Sequence, residues 1–518
     1  MRQEKGQKKG QKKGQKKGKR IGGWLLFLMI SWLAADMAGV RPGVFLQRGG
    51  RLFDILDAMF PPDWTFAEKA AGPLAATIQM AFSGTVLGSF AGLALACACT
   101  ESFMGFGPLR MALRAFIQLV RTIPALVLAL LAAFVLGIGT FAGTGALFIY
   151  TAAILAKLGY EDMENAPAGA YEALLQSGCG RVRAAVRTIL PEMLPSYLSN
   201  ALYMLESNVR SSAILGYVGA GGVGLLLNEK LSWRQYEKAG MVLVLLFAAV
   251  AAAEGISEYC RIRLKESSGK RIPPAFWCLL LVLGFVFVGH PESGSGLRAA
   301  CAMAAGILHP DWSMLADPGR SGVVWLLFET VCIAWAGTVL GAVLSLPLAF
   351  AGSVRLLPVW AAVPVRLGAA AVRTIPVFIY GLMFIRVTGP GAYAGVMTLG
   401  VVSTGLLTKR FQTAVDSMDL GPWRALRNAG VSWPAAVRHG LLPQLIPAFA
   451  SAFLYRFDVN IREASVLGLV GAGGIGAPLI LAMNQYKWNQ AGALLLGLAA
   501  TVLVIGNVSS WFRQRISA

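Results

Sequence analysis

The sequence predicts an all-α polytopic membrane protein, built as two tandem copies of a bundle of about six transmembrane helices. Three observations carry that reading. Of 518 residues, 56% are apolar and only 14% charged, and the mean hydropathy is +0.61. The apolar residues lie in blocks: the charge-free runs 74–100, 138–156 and 387–408 each approach or exceed the ~20 residues a helix needs to cross the hydrocarbon. Lastly, the segment "NVRSSAILGYVGAGGVG" beginning at Asn208 returns 252 positions later as "NIREASVLGLVGAGGIG" beginning at Asn460, with ten of seventeen residues identical.

Taken in order, the apolar blocks predict helices near 21–40, 74–100, 115–137, 138–158, 195–227 and 239–259, and again near 272–290, 322–352, 367–386, 390–408, 445–480 and 489–511. The 252-residue offset holds from Arg114 and Arg366, through "RTIP" at Arg121 and Arg373, to "LP" at Leu190 and Leu442. Earlier, "TIQMAFSGTVLG" at Thr77 matches "TVCIAWAGTVLG" at Thr330 with one residue more, and "FPPDW" at Phe60 is echoed by "HPDW" at His309. The organisation expected is a basic tail (1–20), a first copy (21–260), a linker (261–271) and a second copy (272–518). An even number of crossings per copy makes the two face alike, and their common interface is where a pathway can form.

The net charge of +20 is unevenly placed. Residues 1–20 hold ten Lys or Arg and one Glu in a QKKG repeat, a composition that builds no core. No aromatic residue interleaves with these lysines for base stacking, so the tail reads as a cytoplasmic end held near anionic lipid and not as a nucleic-acid binder. The loops on the tail's side carry Arg110, Arg114, Arg181, Arg183, Arg187, Arg355, Arg366, Lys409 and Arg410, whereas "GIGTFAG" and "TGPGAYAG" carry no charge. By the positive-inside rule both termini and the linker are expected in the cytoplasm of a bacterium, with the chain in its inner membrane. The first helix also fits a signal peptide, but its counterpart at 272–290 is internal, so a retained anchor is expected.

Seven cysteines and three histidines, scattered through apolar sequence, predict no disulfide framework, metal site or His-centred catalysis. The polar residues inside the predicted spans are more informative, because an ionisable group there costs ~2.5–3.5 kcal/mol unless it meets a partner or water. Glu206 and Arg210 are four apart, as are Asp458 and Arg462, which stacks acid over base on one helix face. Asn208 and Asn460 lie off that face as candidate interhelical hydrogen-bonding groups. These side chains either pair to hold the bundle or line a solute path. Arg121-Thr122 and Arg373-Thr374 precede Pro124 and Pro376, which cannot donate to the helix ladder and open the backbone as discontinuous helices do. The arginines either snorkel to headgroups or present forked donors to an anion. Gly216, Gly219, Gly221 and Gly222, and their counterparts Gly468, Gly471, Gly473 and Gly474, are expected to serve close packing or a gate. No GxxxxGK[ST] motif occurs in the chain.

Between the fourth and fifth predicted helices of each copy lie "EALLQSGCGRVRAAVRTILP" (172–191) and "RALRNAGVSWPAAVRHGLLP" (424–443). Here the sequence resembles the permease subunits of ABC importers, whose coupling loop runs EAA, three residues, Gly, nine residues, then I-x-L-P. Glu172, Ala173, Gly178, Leu190 and Pro191 match, as do Ala425, Gly430, Leu442 and Pro443, while Arg424 stands where Glu belongs. With "PPDW", "TVLG", "RTIP", "N[VI]R" and "LG.VGAGG[VI]G", both halves are most similar to the phosphonate permease family. The resemblance implies the type I, MetI-like fold and import of phosphonate, phosphate or phosphite. It also implies two copies of a separate cytoplasmic ATPase, which carries the ATP and Mg, and an extracytoplasmic solute-binding protein. The chain itself would hold no cofactor and would not be an enzyme. An importer of another small solute, such as an amino acid or glycine betaine, is the alternative; an ion-coupled secondary transporter would not need twin coupling loops.

Overall fold

A computed structural model describes residues 22–23, 25–266, 274–288 and 296–517. The basic tail, the linker beyond residue 266, the start of the helix expected at 272, and His290 lie outside the described residues. All regular structure among the described residues is helical. In the first half the helices are α1 (Leu25–Met37), α2 (Pro42–Arg48), α3 (Gly50–Met59), α4 (Ala67–Cys99), α5 (Gly107–Thr122), α6 (Ala125–Leu136), α7 (Thr140–Glu164), α8 (Gly169–Gln176), α9 (Arg181–Arg187), α10 (Ile189–Leu215), α11 (Val223–Ser232) and α12 (Tyr236–Glu266). The second half repeats the plan with α13 (Pro274–Val286), α14 (Gly296–Leu308), α15 (Trp312–Ala316), α16 (Val323–Ala351), α17 (Val359–Thr374), α18 (Val377–Thr388), α19 (Ala392–Ser417), α20 (Gly421–Asn428), α21 (Trp433–Ala436), α22 (Leu442–Leu467), α23 (Gly476–Asn484) and α24 (Trp488–Ser517). Five of the described helices are long and apolar enough to cross a membrane, and up to eight crossings result if each of three bent pairs is one span. α10, α19 and α22 are long enough, at 27, 26 and 26 residues, but less apolar.

The spans expected as single helices at 115–137 and 367–386 are broken. α5 meets α6 at 95°, and α17 meets α18 at 86°. The cause is local: proline forces its predecessor out of the helical region, and Ile123 and Ile375 are extended at φ −80° and −71°. The expected helices at 195–227 and 445–480 also end early. Each passes through a short 3-10 turn (Gly216–Val218, Gly468–Val470) into a run of left-handed glycines and leaves as a separate helix.

Close packing, one of the two roles expected of all eight glycines here, belongs to only some of them. Gly221 and Gly471 have room for a Cβ, whose nearest contacts would be Thr140 at 3.6 Å and Pro390 at 3.9 Å, and at Gly219 a Cβ would press only on the Ile138 side chain, at 3.3 Å. What calls for glycine at these three is the left-handed backbone, at φ +91°, +72° and +88°, that reverses the chain. Gly473 combines a φ of +82° with close approach, since its Cβ would stand 2.7 Å from the Ala392 backbone. Gly216 and Gly468 keep helical dihedrals and serve packing alone, closing on the Gly221 and Gly473 carbonyls. Gly222 and Gly474 again combine the two, because a Cβ there would stand 2.5 and 2.7 Å from the hydroxyls of Thr77 and Thr330. Those hydroxyls accept the Val223 and Ile475 backbone N–H at 2.8 and 2.9 Å, fastening each turn to α4 or α16.

Glycine also sets the main helix contact. Gly84, Gly88 and Gly92 of α4 lie against Leu147, Thr151 and Leu155 of α7, and Gly337 and Gly341 of α16 against Leu399 and Ser403 of α19. The partners rise together, so each pair runs parallel and the chain must return between them through the bent pair. A side chain at Gly88 would place its Cβ 2.8 Å from that of Thr151. α10 runs the other way along this pair: Tyr197 donates to the Ser89 carbonyl at 2.5 Å, and Asn208, fully buried, donates to Thr85 and Thr151 at 2.8 and 2.7 Å. Asn460 repeats the joint with Thr338 and Ser403 at 2.7 and 2.9 Å.

The "PDW" echo has a structural role that sequence left open. The Asp63 and Asp311 backbone N–H groups donate to the Glu237 and Asn489 carbonyls, while their carboxylates cap the next turn at Thr65 and Ser313. The hydroxyls of Thr65 and Ser313 donate as well and hold both carboxyls below the usual range. The first helix of each half packs on the other half. Phe27 of α1 meets Trp335 and Phe453, and Trp335 donates to Ser31. In return, Trp277 and Phe287, on and just after α13, meet Phe90 and Phe82 of α4.

Gly88→Val should lower the melting temperature of the purified protein markedly, because overpacking a tight contact costs about 1–3 kcal/mol. Gly145→Val is the control: its Cβ would meet only Leu136, at 3.5 Å. Equal melting temperatures for the two variants would show that the α4–α7 approach is not limiting.

Candidate translocation site

α10 and α22 carry mid-helix charges on helices whose principal packing partners lie in their own half. Glu206, buried in α10, accepts from Arg210 at 2.9 Å and has Arg261 of α12 at 4.0 Å. In α22, Arg462 donates to Asp458 at 3.2 Å, and Arg456, buried, holds Glu463 at 2.5 Å and Ser403 at 3.0 Å. The acid–base stacking expected from four-residue spacing is therefore present in both halves. Asn208 and Asn460 make interhelical hydrogen bonds, one of the two roles expected of them, in the α4–α7 and α16–α19 joints.

Arg121 and Arg373 end α5 and α17 at the two breaks, and they differ. Arg373 crosses to the other half and pairs with Glu254 of α12 at 2.5 Å. Arg121 donates to Gln118 at 3.0 Å, and its Nε is buried without a hydrogen-bond partner. The charges acting on it are Arg462, of like sign, and Glu161, of opposite sign, with Tyr150 and Tyr160 also in electrostatic range. Thr122 is buried and donates back to the Leu119 carbonyl at 2.6 Å; the side chain of Thr374 lies outside the described residues. An open cleft of about 410 Å³ lies elsewhere, lined by Gly306, Asp311 and 486–490.

Sequence reasoning missed Glu254, Arg261 and Arg386. Arg386 of α18 donates to the Tyr236 hydroxyl at 2.7 Å and to the Leu231 carbonyl, again between halves. Glu254 and Arg386 are charges inside apolar blocks, which marks a buried role but names no partner, and their partners become visible only when the halves are placed together. Arg261 belongs to the charged run that ends α12, and its partners Glu258 and Glu206 lie in its own half.

The loop helices α8 and α20 end alike. The N–H of Gly178 bonds the Leu175 carbonyl and that of Cys179 the Leu174 carbonyl; Gly430 and Val431 do the same to Arg427 and Leu426. This is a Schellman cap, and the left-handed φ of +81° and +77° is what requires glycine, since no neighbour lies within 4 Å of a Cβ at either. Glu172, Ala173, Arg424 and Ala425 lie exposed on these helices. Leu190-Pro191 and Leu442-Pro443 form the first turns of α10 and α22, where a missing N–H costs nothing.

The family model of the binding-protein-dependent transport system inner membrane component matches residues 84–254 and 337–518, over half of the chain. The chain belongs to this family. It is the membrane-spanning permease subunit of an ABC importer for a small solute, a translocation subunit and not an enzyme, and this architecture implies a cytoplasmic ATPase and a solute-binding protein. The phosphate-import permease protein PhnE of Mycolicibacterium smegmatis is 29% identical over 92% of the permease and 91% of its own length. The phosphite transport system permease protein PtxC of Stutzerimonas stutzeri is 33% identical over 42% of the permease and 78% of its own length, about one half here. Among solved structures, the inward-facing MetNI methionine ABC transporter superposes with a TM-score of 0.35 and 22% identity, over 39% of the permease and 99% of that chain.

Glu254→Gln should lower the yield and melting temperature of the permease, because removing one partner of a part-buried, charge-assisted hydrogen bond costs about 1–3 kcal/mol. The exchange Glu254→Arg with Arg373→Glu should recover part of the loss. No loss in the single variant would mean that the pair does not hold the halves together.

Proposed function

We propose that the permease forms the pathway for phosphonate or a related phosphorus oxyanion, phosphate or phosphite, into a bacterial cell. The observation that carries this reading is likeness along nearly the whole chain to a protein named for phosphate import, supported by a part-buried guanidinium at the break of α5 that makes no ion pair among the described residues and whose buried Nε has no acceptor. Six crossings per copy are counted by taking α5–α6 and α17–α18 as one each. The proposed boundaries are a first copy at 21–260 and a second at 272–518, facing alike with both termini in the cytoplasm and the QKKG tail against anionic lipid.

In this reading two copies of an ATPase dock on the loops α8–α9 and α20–α21, whose exposed Val182, Val186 and Trp433 offer apolar contacts, and a binding protein delivers solute from outside. Closure of the ATPases would move α8 and α20, each coupled through its capped turn to α10 or α22. Arg424 in place of the acid found at Glu172 makes the two docking surfaces unequal in charge.

Proteoliposomes holding the permease and its ATPase should accumulate labelled methylphosphonate or phosphate with ATP and not without it. Accumulation without ATP would remove the importer reading, and ATP-driven uptake of glycine betaine or an amino acid alone would replace the solute. Gly178→Val and Gly430→Val should uncouple solute-stimulated ATP hydrolysis, since a β-branched residue at positive φ is strained by about 1–2 kcal/mol. Asn at either position should be milder, because it tolerates that conformation. Full coupling in the Val variants would refute the role of the capped turn.

A further inference from the structure

Two of the seams between the halves each set the bent pair of one against the last helix of the other: α17–α18 on α12, and α5–α6 on α24. They descend from one sequence, for Ser257 and Ser509, Arg261 and Arg513, and Arg263 and Arg515 keep the 252-residue offset along α12 and α24. Their charges have diverged. At the first seam Arg373 is neutralised by Glu254, and Arg386 is held by Tyr236 and the Leu231 carbonyl. At the second, Gly506 occupies the position of Glu254, and Phe134 that of Arg386. Phe134 packs edge-on against Tyr486 and Trp488, with ring centroids 5.7 and 5.2 Å away.

Arg121 therefore keeps the cation of the motif without its carboxylate. It is tied to a neutral amide, its Nε has no acceptor, and it forms no ion pair among the described residues; Arg462 of the other half and Glu161 of its own act on it with opposite signs. Arg462 has one bond to Asp458 at 3.2 Å, Glu463 is occupied by Arg456, and Tyr150 lies in range of both arginines. A part-buried guanidinium without an ion-pair partner is costly until an anion joins it, and its planar fork suits an oxyanion with two or three oxygens.

We propose that the anion site of the pathway is single and asymmetric: Arg121 takes the oxyanion, while Arg373 is committed to holding the other seam. This rests on the solute being a phosphorus oxyanion and names where it is held. The repeat would otherwise make Arg121 and Arg373 equivalent.

The test uses the full chain assembled with its ATPase and binding protein in proteoliposomes, with labelled inorganic phosphate and methylphosphonate as probes. Arg121→Gln should lower initial uptake about tenfold or more, as expected for a lost charged hydrogen bond, at unchanged complex yield. Gly506→Glu, which restores the missing carboxylate, should lie about tenfold below the neutral control Gly506→Gln, in both uptake and anion stimulation of ATP hydrolysis. Arg373→Gln should reduce complex yield, with uptake per assembled complex changed much less than in Arg121→Gln. Normal uptake in Arg121→Gln, equal uptake in the two 506 variants, or equal uptake losses per assembled complex at Arg121 and Arg373 would overturn the asymmetric site while leaving the oxyanion reading in place. Wild-type vesicles that take up neither anion yet hydrolyse ATP in response to glycine betaine would overturn both.

Discussion

A fully buried amide in each half joins three helices at one point. Asn208 donates one proton to Thr85 of α4 and one to Thr151 of α7, and Asn460 does the same with Thr338 and Ser403. The joint exists only because glycines bring α4 to α7, and α16 to α19, close enough for one side chain to reach both. In hydrocarbon such polar groups have no water to fall back on, so the bonds select one register of three helices from many that apolar packing would tolerate. The charged stretch of α10 and the glycine turn beyond it take their places from this register.

The same register explains how function can diverge on a repeated frame. Residues that set the joint, the threonine-fastened turn and the Schellman-capped loop are kept in both halves, because each supplies hydrogen bonds to backbone or to buried hydroxyls. Residues between the halves are under no such constraint. There the pairs Glu254 and Gly506, and Arg386 and Phe134, differ in charge, as Glu172 and Arg424 do on the exposed loop helices. Fusion of the copies is what permits this, since a change in one half of a single chain is not imposed on the other.

Much of the architecture is legible in the sequence. Apolar blocks located the long helices, and the 252-residue offset revealed the duplication before any contact was known. The four-residue spacing of Glu206 with Arg210 and of Asp458 with Arg462 foretold those pairs. The breaks at Pro124 and Pro376 were written in the chain, yet hydropathy alone joined the pieces into single spans, because it measures transfer and is blind to direction. The glycine reversals were hidden in the same way: Gly219, Gly221, Gly471 and Gly473 count as apolar filling in a hydropathy window, while their left-handed backbone turns the chain. Glu254 was out of reach for a different reason. Its partner is 119 residues away in the other half, and nothing local names that partner. The exchange of first helices is likewise a property of the assembled pair.

The central claim is that the two halves are copies facing alike, each offering a capped loop to the same compartment. Single cysteines at Ser177 and Ala429, the exposed positions just before Gly178 and Gly430, can be placed in a background cleared of the seven native cysteines and labelled with an impermeant maleimide. Both positions should react in inside-out vesicles and neither in right-side-out ones. Labelling of the two from opposite faces would contradict the account.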